Sequence, residues 1–189
     1  LYQCSGQNRK RFVQNLRENG TPAPGPAEAG YVGALFATVE GGDVAGIVLG
    51  ARTSSAGGGG RYGLFYLAVP YGSASSSTSW VYGLQQTVET RSNLALVNTG
   101  EVDGQPDSFL IELFDGNTGF RVSTFEISVA ARHWLQIGTI LATYAPSTTH
   151  GYARVTRTGG SNPFIVYGVV NDGGLPGQRS GDGAFVPGV

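Results

Sequence analysis

The stretch "GYARVTRTGGSNPFIVYGVVND", Gly151–Asp172, decides how this chain is read. It runs as an alternating strand, a Gly pair, and a denser apolar strand. An earlier stretch, "GALFATVEGGDVAGIVLGARTS" at Gly33–Ser54, has the same plan. Set on each other without a gap, the two agree at Gly33/Gly151, Thr38/Thr156, Gly41/Gly159, Gly42/Gly160, Ile47/Ile165, Val48/Val166 and Gly50/Gly168. Strand-like runs around a Gly pair predict a β-hairpin in each copy. Gly41-Gly42 and Gly159-Gly160 would supply the positive φ that tight hairpin turns need. Each copy then continues into a Gly-rich loop and an aromatic-apolar run closing on Pro, "YGLFYLAVP" to Pro70 and "GAFVP" to Pro187.

The match extends upstream, where "KRFVQNL" (Lys10–Leu16) is similar to "RHWLQIG" (Arg132–Gly138). A repeat at this spacing predicts tandem structural units. Residues 1–72 read as the C-terminal part of a first repeat. Residues 73–79, "SASSSTS", read as a Ser-rich linker. Residues 80–189 read as a second, fuller repeat. The first copy lacks counterparts of "SNLALVNT" (Ser92–Thr99) and "SFLIELFD" (Ser108–Asp115), so its apolar sheet is expected to be completed by another chain or by the second copy. A same-chain solution would bring Ile47 and Val48 against the second copy.

Within residues 80–189 the apolar period is two. Phe109, Ile111 and Leu113 share one face, with Leu110 and Phe114 on the other. "FRVSTFEISV" (Phe120–Val129) alternates in the same way. "HWLQIGTIL" (His133–Leu141) fits a strand or one or two helical turns equally well. Strand-like runs about every ten residues, with turn residues between them, predict an all-β protein. The architecture expected is tandem β-sandwich repeats, the first incomplete, with one short helical turn per copy.

Charged residues make up 13% of the chain, about half the usual share, which suits short strands joined by tight turns. The net charge of −1 argues against a nucleic-acid surface or a polybasic membrane anchor. Arg9, Lys10 and Arg11 form a short basic run that reads as a solvated edge. No apolar run reaches membrane-spanning length. Cys4 is the one cysteine, so no intrachain disulfide is possible, and no local motif makes it a nucleophile. A chain with no Met that starts at Leu1 is expected to be a piece of a longer protein.

"RSNLALVNTG" (Arg91–Gly100), Gly151–Asp172 and "GAFVPG" (Gly183–Gly188) together resemble tandem all-β repeats near the ends of large secreted bacterial proteins. The resemblance covers about residues 10–70 and 85–188, and the truncated first copy departs from it. It implies an extracellular or cell-surface module and transfers no catalytic residues.

Candidate chemistry is sparse. His133 and His150 lack metal-ligand spacing, and no Gly-x-Ser-x-Gly occurs. Glu101, Asp103 and Asp107 form a loose carboxylate group of the kind a glycosidase would hold in a cleft. "DGNTG" (Asp115–Gly119) and "NDGGLPGQRSGDG" (Asn171–Gly183) carry Asp, Asn and Gly that could ligate Ca²⁺, although Asx-Gly turns explain both. Trp80, Tyr82 and Trp134 are the candidate ligand or partner contacts, because exposed aromatics stack on sugars or pack against proteins. The expectation is a non-catalytic spacer, adhesion or protein-interaction module of a secreted protein. Its partners would be other domains of the same precursor or another copy of the chain. The alternatives are a carbohydrate-binding module and an accessory domain of a secreted hydrolase.

Overall fold

A computed structural model describes residues 12–18, 21–22, 33–39, 48–52, 55–57, 60–175, 178–179 and 182–189. Among the described residues the N-terminal part contributes seven short strands: β1 (Phe12–Glu18), β2 (Thr21–Pro22), β3 (Ala34–Val39), β4 (Gly50–Arg52), β5 (Ser55–Gly57), β6 (Gly60–Tyr62) and β7 (Phe65–Leu67). Longer strands follow: β8 (Thr78–Gln85), β9 (Thr90–Asn98), β10 (Asp107–Asp115), β11 (Arg121–Val129) and β12 (Trp134–Ile137). The one helical turn among the described residues, α1 (Ile140–Tyr144), precedes β13 (His150–Gly159), β14 (Phe164–Asp172) and β15 (Gly183–Pro187). The protein is all-β, and every strand pairing described is antiparallel.

The long strands form two four-stranded sheets, in the orders β11-β10-β13-β8 and β12-β9-β14-β15. The period-two pattern explains what lies between them. Phe109, Ile111 and Leu113 of β10 are fully buried, as are Val81 and Leu84 of β8 and Val155 of β13. They join one cluster with Leu94 and Leu96 of β9 and Phe164 and Val166 of β14. Phe109 and Phe164 meet edge to face across the sheets, with centroids 5.0 Å apart. Each such side chain contributes about 1.5–3 kcal/mol by leaving water. The ambiguous stretch His133–Leu141 resolves into both readings, strand β12 followed by α1. Ile140 and Leu141 seat α1 in the core, and Tyr144 lies parallel on Phe125 at 3.9 Å.

Gly151–Asp172 is not a hairpin. Its two strands, β13 and β14, belong to different sheets, so the chain arches over the edge of the core. The inward residues Ala153 and Val155 on one side, and Phe164 and Val166 on the other, meet across that core rather than side by side. Gly160 does take a positive φ of 88°. The bend then needs Ser161, Asn162 and Pro163, and buried Asn162 holds it from inside. In the earlier stretch, Gly41-Gly42 lies outside the described residues. There β3 pairs with β1, and β4 pairs with β7. The upstream likeness is also not kept in the pairing, since β12 pairs with β9 in the sheet opposite β13. Ser75 of the expected linker exchanges backbone hydrogen bonds with Phe164 in both directions, and Thr78 and Ser79 already belong to β8.

The outer face of the β9–β14 sheet is apolar as well. Ala95, Val97 and Val169 are buried there, outside the main cluster. Tyr66 of β7 packs edge-on against Tyr167 at 5.8 Å and Phe185 at 5.3 Å, which brings the N-terminal part onto this face. Phe36 of β3 sits under the Arg132 guanidinium, 4.7 Å from the ring centre. Of the two residues expected to meet the second copy, Val48 is 79% exposed and Ile47 lies outside the described residues.

Candidate functional site

The outer face of the other sheet carries a band of aromatic and charged side chains. Register places it: Phe114 of β10 pairs with Tyr152 of β13, and Arg154 lies between Glu112 on one side and Trp80 on the other. Two residues further along β8 is Tyr82. Each of these residues alternates with a core residue on its own strand, so all point outward.

The rings stand against one another. Phe114 and Tyr152 stack at 5.0 Å with 4° between their planes. Trp80 and Tyr82 are parallel within 5° at 6.1 Å. Tyr152 joins the pairs, 5.5 Å from Tyr82 and 6.0 Å from Trp80. The Arg154 guanidinium lies 5.3 Å from the Trp80 ring centre and 5.7 Å from that of Phe114. Such contacts hold a cation on the negative π-face. Tyr82 remains 52% exposed at the end of the row.

Glu112 fixes the charged end. Its side chain is 3% exposed, with Arg121 Nη1 at 2.8 Å from Oε1 and Arg154 Nη2 at 2.5 Å from Oε2. Burial pushes its pKa up. The hydrogen bonds and charges of Arg121 and Arg154 more than offset this and hold it below the ordinary carboxylate value. A buried carboxylate with two guanidinium partners is compensated, and it orients Arg154 over the rings.

Of the three aromatic candidates, Trp80 and Tyr82 come together here. Trp134 does not. It lies in the other sheet, and its indole N–H donates to the Tyr167 hydroxyl at 2.9 Å. Phe114, Arg154, Glu112 and Arg121 were not singled out from sequence. The available signal was the shared spacing of two in Trp80-x-Tyr82, Tyr152-x-Arg154 and Glu112-x-Phe114.

The other candidates are spent on structure. Asp103 accepts from the Ser161 hydroxyl, the Gln105 N–H and the Asn162 amide, which holds its pKa low. Asp107 receives the Asn162 backbone N–H at 2.8 Å. Glu101 accepts from the Gly72 N–H. Asp115 closes an Asx turn, accepting from the N–H groups of Asn117 and Thr118 and from the Thr118 hydroxyl. In the loop after β14, the carbonyls of Asp172, Gly173 and Leu175 receive Arg91 Nη1, so a guanidinium already occupies oxygens that Ca²⁺ would need. His133 Nδ1 lies 3.0 Å from the Ala131 carbonyl, and His150 Nδ1 lies 3.1 Å from the Thr149 hydroxyl. Among the described residues no three His, Cys, Asp or Glu side chains are grouped to hold a metal. No helix among them is long and apolar enough to cross a membrane.

No family model matches the chain, and neither a curated protein nor a solved structure matches it.

Proposed function

We propose that the chain is a non-catalytic β-sandwich module of a larger secreted protein, and that the Trp80–Tyr82–Tyr152–Phe114 band binds a protein partner. The observation that carries this reading is the way the rings stand. A sugar-binding platform needs open π-faces lying toward solvent. Here Phe114 and Tyr152 cover each other, and Trp80 lies between Tyr82 and Arg154. Tyr82 is half exposed, and so are the Arg121 and Arg154 side chains beside the band, at 56% and 37%. Tyr, Trp, Phe and Arg are the residues enriched at protein interfaces. The tandem-repeat reading is supported by a shared pairing: β4 with β7 echoes β14 with β15, and Gly50 and Gly168 each lie in the first of these strands. An extracellular location rests on the resemblance of Arg91–Gly100, Gly151–Asp172 and Gly183–Gly188 to repeats of secreted bacterial proteins.

The test compares wild type with Tyr82→Ala, a change at an exposed position that leaves the core intact. Extracellular proteins captured by the wild type and released by the variant would support the reading. Affinity electrophoresis through cellulose, xylan, starch and chitin addresses the alternative. Retardation by one polysaccharide, abolished in Tyr82→Ala, would make the band a carbohydrate site instead.

A further inference from the structure

Tyr82 and Tyr152 meet between the adjacent strands β8 and β13, with ring centres 5.5 Å apart and 35° between their planes. That separation falls within the roughly 4.5–7 Å of aromatic rings in contact. The β8–β13 register shifts at this point, between Gly151 and Ala153, and Gly83 beside Tyr82 takes a φ of 75°. The two rings therefore touch where the backbone ladder is interrupted. Tyr82 is half exposed and Tyr152 partly so.

The composition and the surroundings of the pair favour its oxidation. The chain has no Met and one Cys, the two sulfur side chains that yield readily to oxidants. Electrons are then drawn from Tyr and Trp. Trp80 touches both tyrosines, 6.1 Å from Tyr82 and 6.0 Å from Tyr152. An electron taken from Trp80 leaves an indole radical cation. The Arg154 guanidinium, 5.3 Å from the Trp80 ring centre, repels that charge. Glu112 balances only one of the two guanidinium charges it holds. A phenoxyl radical has released its proton and is neutral, so it escapes this repulsion. The electron deficit settles on the tyrosines.

We propose that Tyr82 and Tyr152 are an oxidative cross-linking site, joined through the ring carbons beside their hydroxyls when hydrogen peroxide and a haem peroxidase act on the exposed Tyr82. Each phenol gives up one electron and one proton. The two phenoxyl radicals then join Cε to Cε, and the hydrogens on those carbons move to the oxygens, restoring both phenols. The peroxide takes up the two electrons and two protons and leaves as two waters. The new bond ties β8 to β13 and closes a chain loop that restricts the unfolded state. It requires only the two rings and the oxidant, whatever the band binds. Tyr66 and Tyr167 form a second pair, but they stand edge to face at 66° and 5.8 Å. Burial there pushes the Tyr167 pKa up to about 12, so that phenol keeps its proton and is the poorer donor.

The experiment treats the full chain, with Cys4 alkylated, with hydrogen peroxide and a haem peroxidase. A monomer lighter by two hydrogens is expected, with dityrosine fluorescence and tryptic peptides 62–91 and 133–154 joined. Fragmentation of the joined peptides should place the bond at Tyr82 and Tyr152. Tyr82→Phe and Tyr152→Phe keep the rings, should retain the wild-type circular dichroism, and should each abolish the product. Tyr167→Phe should leave it unchanged. Joining of peptides 62–91 and 158–179 instead would assign the chemistry to Tyr66 and Tyr167 and overturn the proposal. So would a covalent dimer without the intrachain bond, the absence of any cross-link, or a product that survives in Tyr82→Phe.

Discussion

Asn162 and Asp107 are joined twice: the Asn162 backbone N–H donates to Asp107 Oδ2 at 2.8 Å, and its Nδ2 donates to Oδ1 at 3.3 Å. Both residues are fully buried. The same Asn162 side chain accepts from the Val102 and Asp103 N–H groups, so one amide ties the β13–β14 arch to the β9–β10 loop. Asn162→Ala takes the amide away from the fully buried Asp107 carboxylate and from the part-buried N–H groups of Val102 and Asp103. It should cost about 2–4 kcal/mol, since each orphaned group alone costs about 1–3. Urea unfolding should show a lower midpoint with an unchanged slope. A midpoint equal to wild type would mean the amide network is not what holds the arch.

Gly160 completes the same bend. Its φ is 88°, and a Cβ there would run into the Asp107 carboxylate. Gly160→Ala combines an unfavourable backbone conformation with a clash against a fully buried side chain. The loss should exceed the roughly 1 kcal/mol of the backbone term alone. Gly104→Ala, with open space at its Cβ, is the control and should stay within about 0.5 kcal/mol.

Glu112 makes stability depend on pH at the acid end. Its folded-state pKa lies below the ordinary 4.5. A lowered folded value means the unfolded chain binds the proton first. The stabilisation is therefore complete above about pH 4.5 and is lost as pH falls through the folded value. Glu112→Gln should flatten that acid limb in thermal melts between about pH 5 and 3. If the two curves run parallel, the arginine pair does not stabilise the ionised carboxylate.

Tyr167 sets the alkaline end. Burial pushes its pKa up to about 12, against a smaller lowering by the Trp134 N–H. A raised pKa in an acid favours the unfolded state once pH passes the ordinary 10. Stability should therefore decline from about pH 10 upward. Absorbance at 295 nm should show a tyrosine ionising near pH 12, and Tyr167→Phe should remove that step.

The residues differ in how far local pattern determines them. The inward set Phe109, Ile111 and Leu113 was legible because burial on one face writes itself into every second position. β9 was harder. Ala95 and Val97 are buried opposite Leu94 and Leu96, so alternation disappears where a sheet is covered on both faces. The Gly159-Gly160 pair suggested a hairpin because positive φ permits one. Whether the next strand turns back beside its neighbour or crosses the core depends on Asn162 reaching Asp107, a contact between segments far apart in the chain. The aromatic band was half legible. Trp80 and Tyr82 stood out by type, but Phe114 and Arg154 reach them only through the β10–β13–β8 register, which no single segment encodes. Trp134 carried the same signal as Trp80, and register sent it to the opposite sheet.

Tyr66 provides the last test, because it couples the N-terminal part to the β9–β14 sheet. Its ring meets Tyr167 and Phe185 edge-on, and beside them Ala95, Val97 and Val169 are buried. Tyr66→Ala removes that cover. A half-buried aromatic gives up less than the roughly 3–5 kcal/mol of a fully buried one, so a loss of about 1–3 kcal/mol is expected. Its location matters more than its size. Hydrogen exchange should quicken at the amides of β4 and β7, while the Phe109 and Ile111 amides, behind the main cluster, keep their protection. Tyr82→Ala, which removes an aromatic from the opposite outer face, should leave β4 and β7 as slow as in wild type. If Tyr66→Ala changes nothing in β4 or β7, those strands are held to the sheet by other residues, and Tyr66 is not the link between the two parts of the chain.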